Sequence, residues 1–362
     1  MTQHPATSTA VQSLALQPPV AADGSSICIR LLDPEHDIPA VCQLFTDVFG
    51  QPMTEARWRW KYMQAPRSSH YHVLAVHGES KQILGHMGVI ILPGLRGGKP
   101  IRMAHATDLM ISSLARAGIG PDSVYRHIMH AIRAHALDAG PGEPPLFMYG
   151  FPGKRPATLA IRLGIQRRLQ ICTQYTLPPR DGGISGWWNH RSPWRLRAQA
   201  QPATEVAWSD DVLDPVWQRH VQELERQAQS APDAARPTVV KNAAYLRWRY
   251  LQHPLQFAAG PSQPLYTLWL IGRSGRAPQG WVITREHPET IVVDSCLLGD
   301  EDAVFASLQA LPPPSQGAWS SWLAHPRAQA KETLSWATAM QGPQFYEDWP
   351  GPVLQPGDTD VY

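Results

Sequence analysis

A seven-residue segment occurs twice in this chain, and any fold must accommodate both copies. Trp60-Lys61-Tyr62-Met63-Gln64-Ala65-Pro66 returns 188 residues later as Trp248-Arg249-Tyr250-Leu251-Gln252-His253-Pro254. Trp, Tyr, Gln and Pro are identical, Lys/Arg and Met/Leu are conservative exchanges, and Arg59 is matched by Arg247. The flanks agree. A helical pattern precedes each copy, at residues 38–49 and 212–224, and a strand pattern follows each, at 73–76 and 265–271. Residues 280–284 match 85–90, and Asp294 matches Asp108. Self-similarity at one offset is the mark of a duplicated unit, so two domains of one design are expected.

The first copy has the richer surroundings. Residues 27–32 read as a strand, and Ile38, Val41, Leu44, Phe45, Val48 and Phe49 follow helical spacing up to Gly50, a natural helix stop. Residues 73–76 and 83–92 read as a hairpin, with 99–103 and 107–111 continuing the sheet. Then Leu109-Met110-Ile111, a short buried strand, leads into a turn that ends Arg116-Ala117-Gly118-Ile119-Gly120. Pro121 and Asp122 open a helix whose Val124, Tyr125, Ile128, Met129, Ile132 and Ala136 share one face. A strand, a glycine turn and a helix start together aim main-chain N–H groups and the positive end of a helix dipole at one point, which suits a phosphate. Taken alone, a Gly-x-Gly in this position is more often a tight turn. A further strand at 146–149, a short helix at 157–163 closed by Gly164, and a last strand at 169–177 complete the domain.

This order of elements resembles the GNAT family of N-acetyltransferases over residues 27–177. Gly118 and Gly120 fall on the two small positions of that family's acetyl-CoA loop, although Ala115 stands where Arg or Gln is usual, with Arg116 one place late. Leu44-Phe45, Phe49-Gly50, Trp60-Lys61-Tyr62, Pro66, Asp108 and Gly150-Phe151-Pro152 are similar to a bacterial branch of the family, and Leu163-Gly164 resembles the close of its second conserved block. The resemblance implies an α+β fold of two tandem GNAT-like domains, each a mixed, mostly antiparallel twisted sheet flanked by helices. The expected layout is a flexible tail at 1–24, a GNAT domain at 25–180 carrying the acetyl-CoA loop, a linker at 181–206, a degenerate GNAT-like domain at 207–340 and a loosely packed C-terminal tail at 341–362. Trp187, Trp188 and Trp194 lie in the linker, which is expected to pack rather than dangle. In the rear domain Asp300, Glu301 and Asp302 stand where the phosphate cradle should be, so no acetyl-CoA is expected there.

The chemistry implied is direct acetyl transfer from acetyl-CoA, as co-substrate and without a metal, to a small amine such as an amino sugar. Leu109, Met110 and Ile111 would offer main-chain groups to the pantetheine; Arg116, Ala117, Gly118, Ile119 and Gly120 would hold the diphosphate. Asp108 could serve as base or bind the amine; the plainer reading is a turn cap or a pair with Arg102. Tyr149 could protonate the leaving thiolate, against plain packing with a wet hydroxyl. His86 reads as a satisfied core histidine, and the tryptophans of the repeated motif as packing residues whose basic neighbours are solvated or paired. Two rival classes stay open: a non-catalytic GNAT-like binding protein, and a tandem aminoacyl transferase using charged tRNA. A net charge of +2 over 362 residues speaks against nucleic acid and membrane surfaces as partners. With 43% hydrophobic residues and no apolar run of bilayer length, the chain reads as globular and cytoplasmic, a monomer or homodimer. Cys28, Cys42, Cys172 and Cys296 form no metal-binding pair and are expected to be buried thiols.

Overall fold

The structure, a computed structural model, describes residues 19–21, 24–115, 122–137, 143–178, 196–341, 349–352 and 354–359. Along the chain run β1 (Ile27–Leu31), α1 (Ile38–Phe49), α2 (Glu55–Met63), β2 (Ser69–His77), β3 (Ile83–Arg96), β4 (Lys99–Ile111), α3 (Val124–Leu137), β5 (Leu146–Gly150), α4 (Lys154–Arg162) and β6 (Gln166–Thr176). Then come β7 (Leu196–Ala200), α5 (Asp210–Ser230), β8 (Pro237–Val239), α6 (Ala243–Leu246) with a π-helical turn over Arg247–Leu251, β9 (Thr267–Arg273), β10 (Gly280–Arg285), β11 (Ile291–Cys296), α7 (Glu301–Leu308), β12 (Ser320–Ser321) and β13 (Gln329–Met340). Residue contacts group the chain into two units.

The first unit takes residues 1–52, 72–87 and 109–138. Its strand order is β1-β2-β3-β4, with β1 antiparallel to β2 from Ile27↔His77 to Leu31↔Val73. Helix α1 starts with Pro39 in its first turn and ends at Gly50 (φ 70°), whose N–H reaches the Thr46 carbonyl at 2.8 Å, as the sequence leads one to expect. Its Ile38, Val41 and Phe45 are buried. Helix α3 lies so close to β3 that a Cβ on Gly85 would come within 2.9 Å of Ile128 Cδ1. His86 is fully buried and stacks on His72, with 3.0 Å between ring nitrogens, which fits the core histidine expected. Cys28 is exposed on β1, so burial of all four thiols is not observed: Cys42, Cys172 and Cys296 alone are buried.

The second unit takes residues 53–71, 88–108 and 139–362. Its strand order is β3-β4-β5-β13-β6-β12-β11-β10-β9-β7, and β8 pairs with β3. With β10, β11, β12 and β13 taken as counterparts of β3, β4, β5 and β6, the run from β3 to β10 reads the same from either end. β4–β5 and β11–β12 are parallel, and β5–β13 and β6–β12 antiparallel. The last strand of each set has crossed over: β13 lies between β5 and β6, and β6 between β13 and β12.

The two copies of the repeated motif bond directly to each other. Trp60 Nε1 donates to the Trp248 carbonyl, and Trp248 Nε1 donates to the Trp60 carbonyl, both at 2.9 Å. Such reciprocal contacts are what a two-fold relation produces. The expected linker contains β7, which pairs with β9 from Leu196↔Arg273 to Ala200↔Trp269; Trp187, Trp188 and Trp194 lie outside the described residues. The described residues 354–359 of the C-terminal segment are not loosely packed. Leu354, Pro356, Asp358 and Thr359 are buried, and Gly357 passes so near Tyr250 that a Cβ there would overlap the hydroxyl.

Candidate functional site

The register of β4 with β5 runs from Arg102↔Leu146 to Ala106↔Gly150. There β5 ends, while β4 continues through Thr107 to Ile111. Gly150 permits this close approach, because a Cβ would lie 2.9 Å from the Ala106 carbonyl. Gly150-Phe151-Pro152-Gly153 then turns the chain into α4, with Gly153 as its N-cap. The parallel pair therefore stops short and leaves the last five residues of β4 without β5 beside them.

Asp108 stands just past that point with φ at 51°, a left-handed conformation that costs free energy in a residue other than glycine. The surroundings hold it there. Lys61 Nζ, from α2, lies 2.9 Å from each carboxylate oxygen and 3.1 Å from Thr107 Oγ1. Tyr62 donates its hydroxyl to Asp108 Oδ2 at 2.6 Å. Helix α2 can deliver both side chains because Thr54 caps it, accepting from the Arg57 N–H, and because its Trp58 and Trp60 are buried. The ammonium of Lys61 is 1% exposed, so this ion pair is deep and each partner depends on the other. Arg102, the partner weighed from sequence, instead donates to the Pro144 carbonyl at 3.0 Å.

Tyr149 faces His105 across the β4–β5 register and stacks on it, with centroids 5.2 Å apart and planes at 9°. Phe151 meets both rings edge-on. Both Tyr149 and His105 are buried. Tyr149 and Asp108 thus lie on neighbouring strands, one just before the end of the parallel pair and one just after it. At the end of β4, Met110 is buried and Leu109 and Ile111 are half-buried. Arg116, Ala117, Gly118, Ile119 and Gly120 lie outside the described residues.

The sequence did not single out Lys61 as the partner of Asp108, nor Lys241 at all. Lys241 is the lysine of a second cluster built on the matched positions. Its Nζ lies 2.8 Å from Asp294 Oδ1 and 2.9 Å from Asp358 Oδ1, and Tyr250 donates to Asp294 Oδ2 at 2.8 Å. Burial opposes the charge on Lys241, but Asp294 and Asp358 outweigh it and hold its pKa above the usual ammonium range. Burial and the adjacent Asp294 push Tyr250 well above the phenol range, which keeps it a donor. Helix α7, which carries Asp300, Glu301 and Asp302 at its start, satisfies that start itself: Asp300 accepts from Ala303 N–H, and Asp302 pairs with His325.

No family profile and no curated protein matches the chain. Solved structures do. A conserved protein of unknown function, a probable N-acyltransferase from Enterococcus faecalis V583, aligns with TM-score 0.55 at 13% identity over 87% of this chain and 72% of its own. A GCN5-related N-acetyltransferase from Kribbella flavida aligns with TM-score 0.51 at 12% identity over 86% and 71%, and one from Anabaena variabilis ATCC 29413 with 0.52 at 12% over 86% and 72%. The chain has their mixed α+β fold. No helix among the described residues is long and apolar enough to cross a membrane.

Proposed function

We propose that this protein is an acyl-CoA-dependent N-acyltransferase, an acetyltransferase acting on a small amine, carried on a tandem GNAT design with its acetyl-CoA loop in the domain 25–180 and none in the degenerate domain 207–340. The observation that carries the reading is the parallel β4–β5 pair that stops at Ala106–Gly150 while β4 runs on. A strand continuing past its parallel neighbour can turn main-chain N–H and C=O groups to a ligand that takes the neighbour's place. Leu109, Met110 and Ile111 are those groups in this proposal, and the turn Arg116 to Gly120 takes the diphosphate. The reciprocal Trp60–Trp248 bonds and the strand order support the tandem partition.

Transfer needs the amine deprotonated, the thioester carbonyl polarised and the thiolate protonated. Tyr149 is the proposed proton donor to the thiolate. Asp108 would give up an ammonium and a phenol hydrogen bond before acting as a base, so it is assigned to positioning: it fixes β4 where β5 leaves it. The same carboxylate–tyrosine pair recurs at Asp294, where no cradle exists, and that recurrence favours the second reading, a binding protein without turnover.

Calorimetry with acetyl-CoA tests the first. The protein is expected to bind with measurable heat, and Gly118→Asp to abolish that heat without lowering Tm, since a carboxylate would then face the diphosphate. Absence of both heat and thermal shift at millimolar acetyl-CoA would overturn the acyl-transfer reading and leave the binding protein. As binding alone fits either reading, turnover is followed by thiol release with an amine panel.

A further inference from the structure

A cavity of about 310 Å³ opens beside β11 in the second unit, lined among others by Arg249, Tyr266, Arg285, Glu289, Val293 and Trp322. Arg285 ends β10 and is 7% exposed. It has no hydrogen-bond or ion-pair partner among the described residues, and its Nε is wholly enclosed. Trp322, just after β12, also lines the cavity. A buried guanidinium almost always has an acceptor, so Arg285, unmatched on the wall of a cavity, calls for a missing one. The strand beside them is shaped to make room. The β10–β11 register slips between Ile283↔Asp294 and Thr284↔Val292, so Val293 bulges at the cavity wall.

The charges select the class of ligand. Arg249 is engaged with the Gly357 and Thr359 carbonyls of the C-terminal segment, which forms another wall. Arg249 and Arg285 against Glu289 leave one net positive charge on the lining. Burial, with Arg249, Arg57 and Arg285 nearby, pushes the adjacent His253 down to about 3, so it adds no charge at neutral pH. One surplus charge suits a monoanion, and a planar carboxylate accepts from a guanidinium more readily than a dianionic phosphate would be neutralised here. The remaining wall is apolar, from Tyr266, Val293 and the ring of Trp322.

We infer that this cavity binds a small carboxylate with an apolar body, its oxygens taking hydrogen bonds from the terminal nitrogens of the Arg285 guanidinium. The cavity uses none of the residues assigned to acyl transfer, so a protein that failed to bind acetyl-CoA would still bind the carboxylate.

The test uses the full chain, with hexanoate, hexanamide and hexyl phosphate as probes in calorimetry and thermal melting. Hexanoate is expected to bind saturably and raise Tm, hexanamide to do neither, and hexyl phosphate to bind more weakly than hexanoate. Arg285→Met should weaken hexanoate by about tenfold or more, as befits loss of a charged donor. Arg285→Met should also raise the Tm of the unliganded protein, because it removes an unpaired buried charge. Three results would each overturn the inference: no saturable hexanoate binding at tens of millimolar, equal binding of hexanamide or stronger binding of hexyl phosphate, or a lowered unliganded Tm in Arg285→Met, which would make the arginine structural.

Discussion

Asp108 and Asp294 occupy matched positions and receive a tyrosine hydroxyl from matched positions of the repeated motif, yet their lysines come from different places. In front, Lys61 sits inside the motif, next to the tyrosine. Behind, that position is Arg249, which turns to the carbonyls of Gly357 and Thr359, and Lys241 enters from the segment before α6. The C-terminal segment brings a second carboxylate, Asp358, so two acids share one ammonium. The comparison teaches that the buried acid and its tyrosine are the preserved part of the design, while the cation is supplied by whatever chain lies near. It also shows why the rear cluster is closed: Gly357 lies against Tyr250, and Gln355 binds Ser295 through two hydrogen bonds.

The largest test is to remove the rear cation. Lys241→Met strands two buried carboxylates and is expected to cost about 5 kcal/mol or prevent folding, read by urea unfolding. Lys61→Met strands one carboxylate that keeps its Tyr62 hydrogen bond, so about 3 kcal/mol is expected. Equal costs would mean that Asp358 adds nothing to the difference between the clusters. Next, Trp60→Phe and Trp248→Phe each leave one buried carbonyl without its donor, and each should lower stability by about 1–2 kcal/mol, alike within error. An inequality would show the reciprocal seam to be symmetric in geometry but not in energy.

The smallest effect is one of pH. His253 occupies the position of Ala65 in the first copy, is 9% exposed, and is held near 3 by burial and by three arginines. A histidine whose folded pKa lies below its unfolded value takes up its proton on unfolding. Its contribution to stability is therefore whole above the unfolded pKa, near 6.5, and is lost as pH falls from there toward about 3. Melts at pH 6 and pH 5 should differ by about 1 kcal/mol more in the natural protein than in His253→Gln. Identical pH dependence in the two would mean that the imidazole is not neutral in the fold.

Much of this was legible in the sequence where the signal is local. The α1 stop at Gly50 and the α2 start at Thr54 follow from single residues with fixed backbone or capping roles. The repeat pointed to Asp294 as the partner position of Asp108. What escaped was non-local. Strand β13 contains Ala, Lys, Glu, Leu and Met, residues that favour helix, and it is extended because β5 and β6 flank it. Lys241 has no twin in the first copy, so no internal comparison could reveal it. Arg285 is a lone arginine at a strand end, and its want of an acceptor is visible only once the walls around it are known. The C-terminal segment, rich in proline and glycine, looked like a tail because its anchors, Arg236, Arg249 and Lys241, lie far away in sequence.

The crossing of β13 into place beside β5 has a consequence for how the protein is made. Emerging from the ribosome, β5 has one edge bare, and the strand that covers it, β13, is the last of the described strands to be synthesised. Pairings of such long sequence separation form slowly, and a bare edge left waiting is an invitation to other chains. Truncation within or before β13 should therefore yield insoluble product rather than a smaller folded protein, and newly made chains should depend on chaperones until β13 has emerged.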